Sequence, residues 1–143
     1  MVKLLKKRPL NDRVCINCNK NFKSVSREKI LKFCSIDCKT DYNRKKIVNK
    51  WLSGEITGAC SGKYGNMLTA VHEYVLDKSD RTCEVCGNSK WNNKPIPIQV
   101  HHIDGNANNN NVNNLQAICW NCHAQTKTFG SKNKNGTRAS RYK

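Results

Sequence analysis

Two segments of the chain place apolar residues at helical spacing among polar ones, and we expect both to be helices. The first runs from about Ser35 to Ser53, with Gly54 as its expected stop. Its apolar stripe consists of Tyr42, Ile47, Val48, Trp51 and Leu52. The second starts with Asn66 as N-cap and ends near Lys78. Its stripe consists of Met67, Leu68, Val71, Tyr74 and Val75.

A shorter pattern in the C-terminal half predicts two strands followed by a helix. Residues 96–100 alternate between apolar and polar, and Pro97 among them favours an edge strand. Residues 115–118 predict the second strand, and residues 119–122 open a helix that continues to Lys127. The expected fold class is therefore small α+β, with a ββα unit near its C-terminal end.

Nine cysteines in 143 residues change this picture, because only 37% of the chain is hydrophobic and a large apolar core is not expected. Such a count fits either disulfides or metal ligands. The basic N-terminus lacks the apolar segment of a secretion signal, which favours a reducing cytoplasm and zinc. The pairs predict two structural zinc sites, formed by Cys15, Cys18, Cys34 and Cys38 and by Cys83, Cys86, Cys119 and Cys122. Cys60 has no partner and is expected to be a small buried side chain.

The first cysteine set lies in a finger-like segment. Its second half, Phe33–Cys38, resembles the Phe-Cys-Ser-x-x-Cys half of small treble-clef or ribbon fingers. Two interpretations stay open, a staple for a segment with little core and a finger that docks on DNA. Both include zinc.

The net charge of +16 predicts a polyanionic partner. Residues 1–50 hold 15 Lys and Arg against 4 Asp and Glu, residues 51–126 hold 5 against 6, and residues 127–143 hold 6 against none. A basic surface kept for solubility would not need this segregation onto two flanks. The candidate DNA-binding residues are Lys20, Lys23, Arg27, Lys29, Lys32, Lys39, Arg44, Lys45, Lys46, Lys50, Lys127, Lys132, Lys134, Arg138 and Arg141.

Residues 83–129 resemble the HNH endonuclease family in its zinc-binding form, which occurs in bacteriophages and mobile elements. The motifs that carry the resemblance are Gln99–Asn106 with its histidine pair, Asn113–Leu115, and Cys119–His123 with a histidine directly after the knuckle. Cys83 and Cys86 supply the upstream cysteine pair. Several motifs in order across some forty-five residues are far more specific than one CxxC.

The resemblance implies a role for each residue of these motifs. His101 and His123 hold a divalent cation, His102 is the general base, and Asn114 bridges the intervening loop so that His102 stays oriented. Lys127 stands where DNase toxins of the family add a further histidine, so two protein ligands are expected. Mg²⁺ or Mn²⁺ is favoured, with Ni²⁺, Co²⁺ or Zn²⁺ as alternatives.

Other residues near these motifs are expected to be structural. Asp104 should cap a turn, and the asparagines of 106–113 should form a flexible low-complexity turn. His72 is expected to be an ordinary histidine, and a backbone carbonyl is the expected partner of His102.

These expectations combine into one prediction of organisation and function. Residues 1–13 form a basic arm, 14–53 a finger and basic helix, 54–65 a linker, 66–129 the HNH nuclease domain and 130–143 a flexible basic tail. The chain is expected to be a cytoplasmic endonuclease of double-stranded DNA that nicks one strand per site, as a monomer or a dimer assembled on DNA, without a membrane partner. Homing is one of several roles that fit. The alternatives are a non-catalytic DNA-binding zinc protein and a nuclease that cuts RNA.

Overall fold

The computed structural model describes residues 11–24, 32–60 and 66–134. The chain divides into two compact units, Met1–Lys46 and Ile47–Lys143, and the division falls inside the first helix. Some predictions lie outside the described residues, namely those for the arm before Asn11, Arg27, Lys29, the end of the linker at 61–65, and the tail from 135 with Arg138 and Arg141.

The first unit begins with two antiparallel strands, β1 (Asn11–Val14) and β2 (Asn21–Ser24). The last residues of the expected arm therefore lie in a strand. Helix α1 (Ile36–Leu52) follows, within one residue of its predicted bounds. Ser35 caps it, because the backbone N–H of Cys38 donates to Ser35 Oγ at 3.1 Å.

The end of α1 carries Trp51, which is 5% exposed and belongs to the core of the second unit. Gly54 terminates the helix as predicted. Its φ is +78°, and its N–H donates to the Trp51 carbonyl at 3.0 Å. Beyond it, the described part of the expected linker is folded, because Ile56 packs against the same core.

Helix α2 (Thr69–Lys78) starts two residues later than predicted, with Leu68 in place of Asn66 at the N-cap. Ala59 and Met67 form an isolated antiparallel bridge, and the N–H of Leu68 donates to Gly58 O at 2.8 Å. These bonds hold the residues before Thr69 in extended backbone. The prediction that Cys60 is buried is wrong: it follows the bridge and is exposed, and its Sγ lies 3.8 Å from Met67 O.

The core of the second unit lies between α2 and two antiparallel strands, β5 (Ile98–His102) and β6 (Leu115–Cys119). Strand β5 begins after Pro97, which has no N–H to donate, and continues through both histidines of the first motif. This shifts the strand two residues beyond the predicted span. The buried residues of this core are Trp51, Val71, Val75, Leu76, Leu115 and Ala117.

Two further elements flank the β5–β6 pair. A hairpin of β3 (Lys90–Trp91) and β4 (Lys94–Pro95) precedes it, and Asn92 and Asn93 turn with φ of +47° and +60°. Helix α3 (Trp120–Gln125) follows β6 directly. The chain is thus a small mixed structure of helices and strands, as predicted. In the described ranges, no helix has the length and apolar character that crossing a membrane would require.

Candidate active site

The eight paired cysteines gather into the two predicted clusters, one in each unit. In each cluster the four sulfur atoms lie within 4.8 Å of one another. A tetrahedral zinc site with Zn–S bonds of about 2.3 Å places its sulfurs about 3.8 Å apart, so both clusters fit a structural zinc ion. The clusters consist of Cys15, Cys18, Cys34 and Cys38, and of Cys83, Cys86, Cys119 and Cys122.

Both clusters rest on the same kind of knuckle. The N–H of Asn19 donates to Cys15 O, and the N–H of Gly87 donates to Cys83 O, with φ of +57° and +72° at the two donors. Burial raises the pKa of the Cys15 and Cys83 thiols, but hydrogen bonds from backbone N–H groups outweigh it, first that of the facing cysteine, Cys34 or Cys119, and then those of each knuckle. The pKa of each falls to about 6. Each knuckle therefore favours a thiolate, the form that binds zinc.

His101 and His123 come together from β5 and α3. Their ring centroids are 5.0 Å apart at an interplanar angle of 57°. Burial lowers the pKa of both rings, and the neighbouring charges of His123 and His102 lower that of His101 further. Both imidazoles are therefore neutral near pH 7 and offer nitrogen lone pairs, which suits a divalent cation.

Two side chains orient these imidazoles. Gln99, also on β5, places its Oε1 3.1 Å from His123 Nδ1, and Thr128 places its Oγ1 3.4 Å from His101 Nε2. Trp120 stacks on His123, with centroids 5.9 Å apart and planes at 28°. None of these three was assigned a role from the sequence: Gln99 and Trp120 lie inside the quoted motifs, but nothing there showed that they contact the histidines.

His102 is next to His101 on β5 but has a different partner. Its Nε2 lies 2.8 Å from Oδ1 of Asn110. The expectation of a backbone carbonyl is therefore wrong, because the loop turns an asparagine side chain inward at this point. Asn110 is 2% exposed, whereas it was expected from the sequence to lie in a flexible turn with the other asparagines of this loop. Nothing in the sequence distinguishes it from its neighbours.

The loop between β5 and β6 is closed by Asp104 and Asn114. Asp104 caps the turn as expected, accepting from the N–H of Asn106 at 2.8 Å, and it also accepts from the Nδ2 of Asn109 at 2.7 Å. Asn114 donates from Nδ2 to Asp104 Oδ1 at 2.9 Å and to Asn109 O at 2.8 Å. Hydrogen bonds from Asn109, Asn106 and Asn114 lower the pKa of Asp104.

The remaining asparagines of this loop form successive turns in place of the expected flexible stretch. Asn106, Asn109 and Asn111 each accept, through the side-chain oxygen, from the backbone N–H two residues later, at 3.0, 3.3 and 3.0 Å. The repeated Asn thus has a structural reason: its side-chain oxygen accepts the hydrogen bonds of backbone N–H groups in the loop.

The described basic candidates lie at the surface of their units. Arg44 and Lys50 are half-buried, and the others are exposed. On α1, Lys45 pairs with Asp41 at 2.7 Å and Lys50 pairs with Glu55. His72 on α2 pairs with Glu73 at 3.3 Å and belongs to no cluster of ligand side chains among the described residues. The exposed candidates are Lys20, Lys23, Lys32, Lys39, Lys45, Lys46, Lys127, Lys132 and Lys134.

The histidines and the second cysteine cluster correspond to the motifs that resemble HNH endonucleases. A segment of 51 residues, 36% of this chain, is 51% identical to the H-N-H endonuclease F-TflIV of Escherichia phage T5. The predicted resemblance is thereby confirmed. The match covers 22% of that relative, so the chain spans about a fifth of its length. No protein-family model and no solved structure matches the chain.

Proposed function

We propose that this chain is a metal-dependent endonuclease that hydrolyses phosphodiester bonds of double-stranded DNA through an HNH-type site. The observation that carries the proposal is the approach of the His101 and His123 rings to 5.0 Å, with His102 adjacent on the same strand. The similarity to a phage endonuclease over 51 residues supports it. In this proposal β5, β6 and α3 form a ββα-metal module.

His101 and His123 are the residues that would hold the divalent cation, Mg²⁺ or Mn²⁺ by preference. When bound, such an ion neutralises charge on the scissile phosphate and on the leaving 3′-oxygen. The two imidazoles suit this task because burial lowers the pKa of both and keeps them neutral. With two protein ligands, positions remain for water and phosphate oxygen.

His102 acts as the general base. Its neutral ring takes a proton from the attacking water as the water oxygen bonds to phosphorus and the P–O3′ bond breaks. The leaving 3′-oxygen takes a proton from solvent, which yields a 5′-phosphate and a 3′-hydroxyl. Asn114 and Asp104 hold the loop that follows His102. One such site cuts one strand, so the protein nicks DNA unless two copies assemble on the duplex.

The basic flanks supply most of the binding affinity for DNA. The N-terminal finger (14–53) and the basic helix within it, together with the arm and the tail, would contact phosphates. The nuclease domain (66–129) is nearly neutral and would depend on them for affinity. We place the protein in the cytoplasm, of the bacterial host if it is encoded by a phage.

Nicking of supercoiled plasmid tests the proposal. The zinc-loaded protein should convert supercoiled DNA to open circles with Mg²⁺ or Mn²⁺, and His102→Ala should lower the rate at least a hundredfold. His72→Ala is the matched control, because His72 pairs with Glu73 on α2 and should leave the rate unchanged. Binding of a labelled duplex should be unaffected in both variants.

The rival functions give different results in the same assay. A non-catalytic zinc protein would bind the duplex without cleaving it at any metal concentration. A nuclease directed at RNA would cleave a matched RNA substrate faster than DNA. Equal rates for wild type and His102→Ala would refute the assigned base.

A further inference from the structure

Asn110 is buried between the proposed base and the core of the second unit. Its Oδ1 lies 2.8 Å from His102 Nε2, and its own backbone carbonyl accepts from Trp51 Nε1 at 2.7 Å. Trp51 is 5% exposed and packs in the core. Asn110 thus links the buried ring of Trp51 to His102 through two hydrogen bonds, one by its main chain and one by its side chain.

An amide oxygen only accepts hydrogen bonds, so the His102 nitrogen that faces it must carry the proton. A neutral imidazole has one N–H, and its other nitrogen then bears a lone pair. The contact with Asn110 therefore selects the Nε2–H tautomer and leaves Nδ1 as the nitrogen that can accept a proton. We infer that Asn110 is a positioning residue that fixes the tautomer and the ring orientation of His102.

Stability alone does not account for an asparagine at this position. Asn110 is 2% exposed, and its Nδ2 has no hydrogen-bond partner among the described residues. A buried donor without a partner costs free energy, which an apolar side chain of similar volume would avoid. The buried Nδ2 of Asn110 thus lowers the stability of the fold, whereas its Oδ1 accepts the hydrogen bond from His102.

The backbone around the anchor is closely packed. A Cβ built on Gly58 would lie 2.8 Å from Trp51 Cδ1 and 3.4 Å from Asn110 Cβ. Gly58 has a φ of +77°, which favours glycine. This close contact leaves the Trp51 ring and Asn110 little room to move, as the positioning of His102 requires.

The tautomer can be measured without catalysis. Long-range ¹⁵N–¹H correlation spectra of the zinc-loaded 143-residue chain at about pH 8.5, well above the ordinary imidazole pKa, report which ring nitrogen is protonated. The His102 signals are assigned by their loss in His102→Ala. We expect the Nε2–H tautomer in the wild type and a mixture in Asn110→Leu. An Nδ1–H tautomer in the wild type, or an unchanged pattern in Asn110→Leu, would overturn the inference.

Asn108→Leu is the matched control, because Asn108 lies exposed in the same loop. It should leave the His102 signals as they are in the wild type. Trp51→Phe removes the donor to the Asn110 carbonyl together with part of the ring volume, and it keeps an aromatic ring in the core. It should shift the tautomer mixture less than Asn110→Leu. A larger shift in Asn108→Leu than in Asn110→Leu would contradict the assignment.

The kinetic test rests on the proposed nuclease function. Asn110→Leu should lower kcat for plasmid nicking about 10- to 100-fold while KM stays unchanged and the free energy of unfolding does not fall. A merely structural residue would instead lower stability and leave kcat of the folded fraction intact. If the wild-type protein cleaves nothing, the proposed function fails, and the spectra still decide the role of Asn110.

Discussion

Asp104 and Asn114 are joined by two reciprocal hydrogen bonds across the loop that separates β5 from β6. The backbone N–H of Asp104 donates to Asn114 Oδ1 at 3.0 Å, and Asn114 Nδ2 donates to Asp104 Oδ1 at 2.9 Å. Asp104 comes two residues after His102, and Asn114 immediately precedes β6. The pair therefore closes the loop at the point where the proposed base leaves its strand.

Replacing Asn114 should open this loop. Asn114→Ala removes three hydrogen bonds of its side chain and leaves the Asp104 N–H and the Asn109 carbonyl without that partner. We expect the free energy of unfolding to fall by about 2 kcal/mol in urea titrations, together with a lower nicking rate. Asn113→Ala is the control, since Asn113 is exposed. Equal effects in both variants would contradict a specific role for Asn114.

The carboxylate of Asp104 makes the loop sensitive to acid. Hydrogen bonds from Asn109, Asn106 and Asn114 hold its pKa below the ordinary value, so the unfolded chain takes up this proton first. The stabilisation is therefore complete above the unfolded pKa of about 3.9 and is lost as the pH falls through the lower folded pKa. The difference in unfolding free energy between wild type and Asp104→Asn should be smaller at about pH 3, below the unfolded pKa, than at about pH 7. An equal difference in unfolding free energy at both pH values would contradict a lowered pKa of Asp104.

Much of this architecture could be predicted because its signals are local. Cysteine spacing predicted both clusters, and the apolar stripe and Gly54 predicted α1 to within one residue. The start of α2 could not be predicted in this way. The N–H of Leu68 donates to the Gly58 carbonyl, and helical periodicity in the sequence does not report such a tertiary hydrogen bond.

Asn110 shows the same limit at the candidate site. It is one of seven asparagines in nine residues, and its sequence neighbours have the same side chain. Only the fold turns this one toward His102 and buries it, whereas Asn108 stays exposed. Motifs predicted the histidines of the candidate site, and packing decides which side chains contact them.

Gly105 follows Asp104 at a position that only glycine fits. Its φ is +74°, and an added Cβ would lie 2.8 Å from Thr128 Cγ2 and 2.5 Å from Asn133 Oδ1. We expect Gly105→Ala to lower the free energy of unfolding by about 2 kcal/mol, because strain in φ adds to the steric overlap. Gly87→Ala shares the positive φ but meets no atom within 4 Å, so a smaller loss is expected there in the same urea titration.

Zinc should be required for the fold of the second unit. Cys83 is 1% exposed and packs with Ile118 and Cys119, so loss of the ion would leave thiolates in a small core. Cys83→Ser should reduce bound zinc from two ions to one and broaden the amide spectrum of that unit. Cys60→Ser should leave the zinc content at two, because Cys60 belongs to neither cluster. Plasma emission spectroscopy gives the count, and retention of both ions in Cys83→Ser would contradict the assignment.

Gln99 should raise the affinity for the proposed catalytic cation. Its Oε1 faces His123 Nδ1 at 3.1 Å, and because an amide oxygen only accepts, Nδ1 carries the proton and Nε2 bears the lone pair. Gln99→Leu removes this preference, so Mn²⁺ affinity measured by calorimetry should fall about 10- to 100-fold. Gln125→Leu is the control, because Gln125 lies exposed on α3 and donates to Asn121 O at 3.2 Å. Unchanged Mn²⁺ affinity in Gln99→Leu would place the cation away from His123.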